Sequence, residues 1–179
     1  MYAQSERPTS SYSLFSRAVQ YALSAGVNNR ALSEGSASLG IGSSSSARGA
    51  FASGVFANAA AEGASSLGGG TDATGVLSAA LGTYTRASGV SSMATNVGSE
   101  ATSDASFAAN LLTKASGIAS SSFGRQTVAS GDYANAFGER SVATGRSSMV
   151  SGENNRANGR ASVAGGIRSV AQGVGSFAN

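Results

Sequence analysis

The stretch SVATGRSSMVSGENNRANGRASVAGG, residues 141–166, holds glycine at 145, 152, 159 and 166, one every seven residues. The frame persists on both sides. It meets Gly173 ahead and Gly138, Gly131, Gly124 and Gly117 behind, passes Asn110, Ser103 and Asn96, and resumes at Gly89, Gly82, Gly75 and Gly68. It then runs through Ala61, Gly54, Ala47, Gly40 and Ser33 to Gly26 without slipping. Sixteen of these twenty-two slots are glycine, whereas 25 glycines scattered over 179 positions would fill about three. A frame this regular specifies a repeat architecture rather than a flexible glycine-serine linker.

Two residues before each glycine the slot is small, as in Ala171, Ala164, Ala157, Ala143, Ala136, Ala129 and Ala115, with Val150 the one bulky member. Four residues before, it is mostly Ser or Thr: Ser169, Ser162, Ser148, Ser141, Thr127, Ser120, Thr113 and Ser106. The unit is therefore Ser-x-Ala-x-Gly plus two linking residues. Alternation over five residues has the period of a strand, so the small slots line one side and the variable slots the other. The glycine and its followers, as in Gly138-Glu139-Arg140 and Gly152-Glu153-Asn154, carry turn chemistry and predict turns there.

Seven is also the heptad number, but a coiled coil needs large apolar residues on helix formers, and glycine in every second turn costs about 1 kcal/mol each relative to alanine. Collagen requires glycine every third residue and abundant proline, and this chain has one proline. A second period, of fourteen, lies in the variable slots. Ala79, Met93 and Phe107 alternate with Arg86, Glu100 and Lys114, and Val27, Ile41 and Val55 alternate with Glu34, Arg48 and Glu62. Phe123 and Phe137 are also fourteen apart. Each coil thus contains two strands, one facing apolar partners and one facing water. Some eleven coils stacked at ~4.8 Å give a rod on the order of 50 Å long. A core of alanine, serine and glycine is thin, and the apolar flank predicts lateral, symmetric self-association.

The stretch SFGRQTVASGDYANAFGERSVATGRSSMVSGENNRANGRASVAGGIRSVAQGVGSFA, residues 122–178, resembles the YadA-like head of trimeric autotransporter adhesins. Its carriers are TVASG (127–131), SVATG (141–145), SVAGG (162–166) and SVAQG (169–173). The resemblance extends over residues 23–179 and implies an all-β fold: a left-handed parallel β-roll, or solenoid, of fourteen-residue coils. It further implies three rolls side by side as a homotrimer, attaching to host-surface or extracellular-matrix proteins or glycans. One departure is plain. Family members carry Ile or Val just before the glycine, where this chain has Ser130, Thr144, Asn158 and Gln172. The family's neck, stalk and membrane-anchoring barrel have no counterpart in these residues, which suits either an excerpt of an adhesin or a different carrier.

Composition bounds the chemistry. Cysteine and histidine are absent, which removes disulfides, thiolate and imidazole metal sites and Cys/His or Ser/His catalysis. The few carboxylates sit singly in repeat turns, so no catalytic, cofactor or metal site is expected and the chain reads as non-enzymatic. The net charge of +3 is small and the arginines recur singly, unlike the concentrated basic stripe with aromatics of a nucleic-acid binder. No run approaches the ~18 apolar residues of a membrane helix, and Glu6, Arg7, Arg17 and Gln20 interrupt any secretory pattern near the start.

Residues 1–22 stand apart from the frame. Leu14, Ala18 and Ala22, and Phe15, Val19 and Leu23, recur at i and i+4 as on one face of a short helix. Such a segment either caps the first coil against edge pairing or docks the fibre on a larger assembly. The second role suits a virion protein, as in a phage fibre or decoration protein that reuses the adhesin-head fold. The candidate surface contacts are Arg125, Tyr133, Arg140, Arg146, Arg156, Arg160 and Arg168, with Asp132, Glu139 and Glu153 among them. Charge ladders of this kind serve solvation and register control, or else form a face that contacts a polyanion or matrix. The Ser/Thr rows mix Ser, Thr, Ala and Asn, unlike the paired threonines of a flat ice- or polysaccharide-binding array.

Overall fold

Small side chains at alternate positions let two strand layers close on each other, and the chain does this once per fourteen residues. A computed structural model describes residues 10–12, 16–19 and 21–179. Each regular coil supplies a five-residue strand, such as Phe51–Val55 or Ser121–Arg125, and a two-residue strand, such as Asn58–Ala59 or Val128–Ala129. The long strands stack in one 13-stranded sheet and the short strands in a facing 12-stranded sheet, each next to its counterpart from the adjoining coil. All pairings are parallel, with Ala79 opposite Met93, Met93 opposite Phe107, and Arg86 opposite Glu100. The protein is a parallel β-solenoid with coils of about fourteen residues, and no helix occurs among the described residues. The 12 short strands give a rod of about 60 Å at ~4.8 Å per step.

The core follows from the small slots. Ala31, Ala59, Ala73, Ala87, Ala101, Ala115, Ala129, Ala143, Ala157 and Ala171 point inward from the short strands. Ala52, Ala80, Ala94, Ala108, Ala136 and Val150 point inward from the long ones, and Val150 is the bulkiest fully buried residue. Buried alanines form two groups, Ala50 to Ala115 and Ala129 to Ala171. Between them lies a coil whose inward side chains include Ser120, Ser122 and Thr127, the last two hydrogen-bonded at 2.8 Å. Near either end of the rod a buried asparagine ties adjacent coils together: Asn29 Nδ2 donates to Ala25 O and Gly40 O, and Asn155 Nδ2 to Ser151 O and Gly166 O.

Several inward hydroxyls lack a partner, among them those of Ser78, Ser120 and Ser148. A buried hydroxyl without a hydrogen bond costs about 1–3 kcal/mol. Alanine already occupies the equivalent slot one coil on, at Ala134, so Ser120→Ala removes the desolvation cost without changing the packing. Its midpoint in thermal denaturation is expected to rise, by about 1 kcal/mol of added stability. An unchanged or lowered midpoint would mean that the hydroxyl is satisfied in solution.

The two heptads of a coil use their glycines differently, and here the structure corrects the predicted turns. Gly138 and Glu139 lie inside the strand Asn135–Glu139, and Gly152 and Glu153 inside Met149–Glu153, so the long strand runs through its glycine rather than ending there. These glycines have φ of 105° and 106°, a region closed to side chains, and a Cβ at Gly138 would lie 2.1 Å from Gly152 O. In the other heptad, glycine does open a turn, as at Gly131-Asp132-Tyr133. The residue after the glycine does not separate the two, since Val27, Ile41 and Val55 end long strands while Val76, Val90 and Ile118 stand in turns.

Both corners require a left-handed residue. Phe56, Tyr84, Leu112, Gln126, Arg140, Asn154 and Arg168 hold one corner, and Leu77, Ser91, Ala105, Ala119, Tyr133, Ser147 and Ala161 the other, all with φ between 50° and 59°. Positive φ turns the amide back toward the preceding coil, so that Tyr84 N donates to Gly69 O and Tyr133 N to Ile118 O, while most of the ladder donates forward. At the first corner, bulk alternates with glycine: Gly42, Gly70 and Gly98 leave the room that Phe56, Tyr84 and Leu112 of the next coil occupy.

The helix expected over residues 14–23 is not formed at its described positions. Arg17–Ala18 is a short strand paired with Arg30–Ala31, and Ser10–Tyr12 pairs with Leu23–Val27. Ala22 is buried as one of the coil's inward residues. The i, i+4 spacing of Ala18 and Ala22 arises because this coil's corner is one residue shorter than the rest, since Arg17 opposes Arg30 at an offset of thirteen. Leu14 and Phe15 lie outside the described residues.

Candidate interaction surfaces

Outward side chains of the long strand form three columns, and the one after the glycine reads Val27, Ile41, Val55, Gly69, Thr83, Val97 and Leu111. The valines, Ile41 and Leu111 are exposed, as are Phe56 and Leu112 on the adjoining corner. Beside them Leu39, Leu67, Leu81, Phe51, Met93 and Phe107 extend the same apolar face. Phe107 meets Phe123 edge-on at 4.8 Å, and Phe123 stacks on Phe137 at 5.4 Å. An exposed apolar ridge of this length on one flank of a sheet is the kind of surface that marks interaction sites. Val27, Ile41, Val55, Met93, Phe107, Phe123 and Phe137 were legible in the sequence; the rest emerge when the residues are aligned coil by coil.

The opposite, short-strand face is polar over the same coils. Asp72, Arg86, Glu100 and Lys114 follow one another up one column, with Arg86 3.9 Å from Asp72 and Lys114 3.1 Å from Glu100. On the far corner Arg48 pairs with Glu62 of the next coil. Opposite charges one strand step apart stabilise the stack modestly, and they discourage mis-registered pairing.

Between Lys114 and Ser121 both faces change character. The ridge column becomes Arg125, Glu139 and Glu153, and the short-strand column becomes Val128, Val142, Arg156 and Val170. The change falls at the coil that divides the two alanine groups.

The structure separates the arginines singled out in the sequence. Arg125 and Arg140 both reach Glu139, at 3.4 and 3.7 Å, and Arg140 Nε also donates to Gln126 Oε1 at 3.3 Å. Arg168 follows on that same corner, its amide donating to Glu153 O. Arg146 and Arg160 sit on the opposite corner, in neighbouring coils, and Tyr133 lies there beneath the Arg146 guanidinium at 5.7 Å. Arg156 stands on the short-strand face between the corners. Asp132, on the Arg146 corner, accepts a hydrogen bond from Ile118 N, as Asp104 does from Val90 N. Tyr84 is exposed on the ridge corner.

Among the described residues no group of acidic side chains could hold a metal ion, and no helix is long and apolar enough to cross a membrane. Neither a protein-family model nor a curated protein sequence matches the chain. The architecture therefore defines its class: an all-β repeat protein, the parallel β-solenoid, with one apolar and one charged flank.

Proposed function

We propose that this chain is a non-enzymatic fibre segment: three solenoids lie side by side about a common axis, project from a surface and attach to host or other surfaces. In this it resembles the YadA-like heads of trimeric autotransporter adhesins, whose left-handed roll and fourteen-residue unit match the motifs at 127–131, 141–145, 162–166 and 169–173. One observation carries the reading. The ridge of Val27, Ile41, Val55, Val97 and Leu111, with Phe56 and Leu112, is uncovered in a single chain and repeats in register with the coils. Identical ridges suit one another, because an isologous or cyclic arrangement brings the same patch of each copy to one axis. The charged short-strand face then remains outside.

The carrier is either an outer-membrane adhesin or a virion fibre docked through residues 1–22. Light scattering on the intact chain tests the assembly. A solution mass three times the 17.4 kDa of the chain is expected, and a monomer with a β-rich circular dichroism spectrum would sink the trimeric reading. A version lacking residues 1–22 that keeps the trimer assigns that segment to docking, whereas loss of the trimer assigns it to capping.

A further inference from the structure

The charge of this protein is segregated along the rod. Residues 1–139 carry seven basic and eight acidic side chains, and residues 140–179 carry five basic and one acidic, so the whole excess lies in the last coils. Upstream, charge alternates in sign along two runs, Glu34, Arg48 and Glu62 on one corner and Asp72, Arg86, Glu100 and Lys114 on the short-strand face. Downstream, the same corner places Arg146 directly before Arg160, with Ala161 N donating to Arg146 O across the step. Like charges one strand step apart are destabilising. Like charges also adjoin at Arg17 and Arg30 and at Glu139 and Glu153, where Glu139 is ion-paired with Arg125 and Arg140, whereas Arg146 and Arg160 have no carboxylate partner among the described residues.

Three of these arginines share one face and the corner beside it. Within a single coil Arg156, Asn158 and Arg160 are exposed and alternate with buried Ala157 and Gly159, Arg156 on the short-strand face and Arg160 at the corner that borders it. Thr144 and Arg146 precede Asn158 and Arg160 in the adjoining coil, and Thr144 Oγ1 donates to Asn158 Oδ1 at 2.9 Å. None of the three arginines is ion-paired with a carboxylate among the described residues. The nearest acid along that corner, Asp132, accepts from a backbone amide.

We propose that Arg146, Arg156 and Arg160 form a binding face for an acidic polysaccharide. The guanidinium groups supply fixed cations for sulfate or carboxylate groups, and Arg is suited to both by its planar fork of donors. Thr144, Asn158 and Gln172, all exposed on the same face, offer hydroxyl and amide partners for sugar hydroxyls. Nucleic acid suits the face less. Base stacking needs free aromatic platforms, and the aromatic beside this face, Tyr133, lies under Arg146. The proposal deepens the attachment reading and uses it to place the face outward in three copies, which multiplies weak contacts.

The test is binding of the full chain to immobilised heparin and to hyaluronate, at low and physiological salt, alongside duplex DNA. Wild type is expected to bind the glycans. The variant R146Q/R156Q/R160Q should bind at least ~10-fold more weakly, its log affinity falling less steeply with log salt by about three, roughly one per lost cation. Arg48→Gln, on the same corner but ion-paired upstream, should stay within about twofold of wild type, as rim charges engaged elsewhere do. Equal binding by the triple variant, or no glycan binding by wild type, overturns the proposal. Tighter retention of DNA than of either glycan overturns the ligand class. Circular dichroism checks that the triple variant folds. Light scattering reads association separately, so a monomer that still binds glycan would overturn the fibre reading alone.

Discussion

Gly131→Ala is expected to unfold the solenoid around it, at a cost on the order of 4 kcal/mol or more, the range reserved for forced clashes in a packed interior. An ideal Cβ there lies 2.3 Å from Gly145 O, 2.6 Å from Gly145 C and 2.7 Å from Thr144 O. All three are backbone atoms of the next coil, so no side chain can swing away to make room. The residue opens a turn with ordinary φ, so an alanine suffers no backbone strain of its own and the contact alone is tested. Gly49→Ala supplies the converse, because its φ of +66° is left-handed while nothing lies within 4 Å of its Cβ. That variant should lose only about 1 kcal/mol. Urea denaturation followed by circular dichroism distinguishes the two. Equal, small losses at both positions would mean that the coils do not stack at the spacing described.

Ile41→Lys, Val55→Lys and Val97→Lys, combined in one chain, should turn the proposed trimer into a monomer that keeps its β signal. In the isolated chain these side chains are exposed, and surface substitutions of that kind change stability by about 0.5 kcal/mol or less. At an apolar contact about a threefold axis the same lysines must be desolvated without acidic partners, a cost of several kcal/mol. The association constant should fall at least ~100-fold, about 2.7 kcal/mol. Light scattering gives the mass and circular dichroism the fold. A variant that retains triple mass would place the common axis on another flank. The two changes act on different links of the chain: Gly131 on the stacking of coils, the ridge on the meeting of copies.

Most of the fold was legible because steric demand on the backbone leaves a strict trace. Where the next coil's carbonyl crowds a Cα, glycine is strongly favoured, so the period of the glycines traces the stacking of the coils. The inward alanines and serines were legible for the same reason, since the space between the layers favours small side chains and admits nothing bulkier than Val150. What could not be read was which glycines end a strand, because Gly131 and Gly138 each follow a small inward residue by two and precede an acid, and the structure separates them by φ. The N-terminal apolar spacing misled because inward residues on either side of a shortened corner fall four apart, the interval of a helix face. The arginines were found as a set, but sequence order hides that Arg146, Arg156 and Arg160 share a face and its bordering corner while Arg125 and Arg140 lie around the opposite corner, bound to Glu139.

The fixed register has an evolutionary corollary. Every described long strand from Leu23 onward meets its neighbour at an offset of fourteen, so the length of this rod is quantised. Removing or duplicating a whole coil keeps each side chain in its own column and merely shortens or lengthens the reach of whatever the tip carries. Removing seven residues preserves the glycine frame but exchanges the two heptads beyond the cut, setting charged columns on the greasy flank and stranding the ridge in water. Lineages carrying such a chain can therefore lengthen or shorten it cheaply by unequal crossing-over between coils, yet only in whole steps.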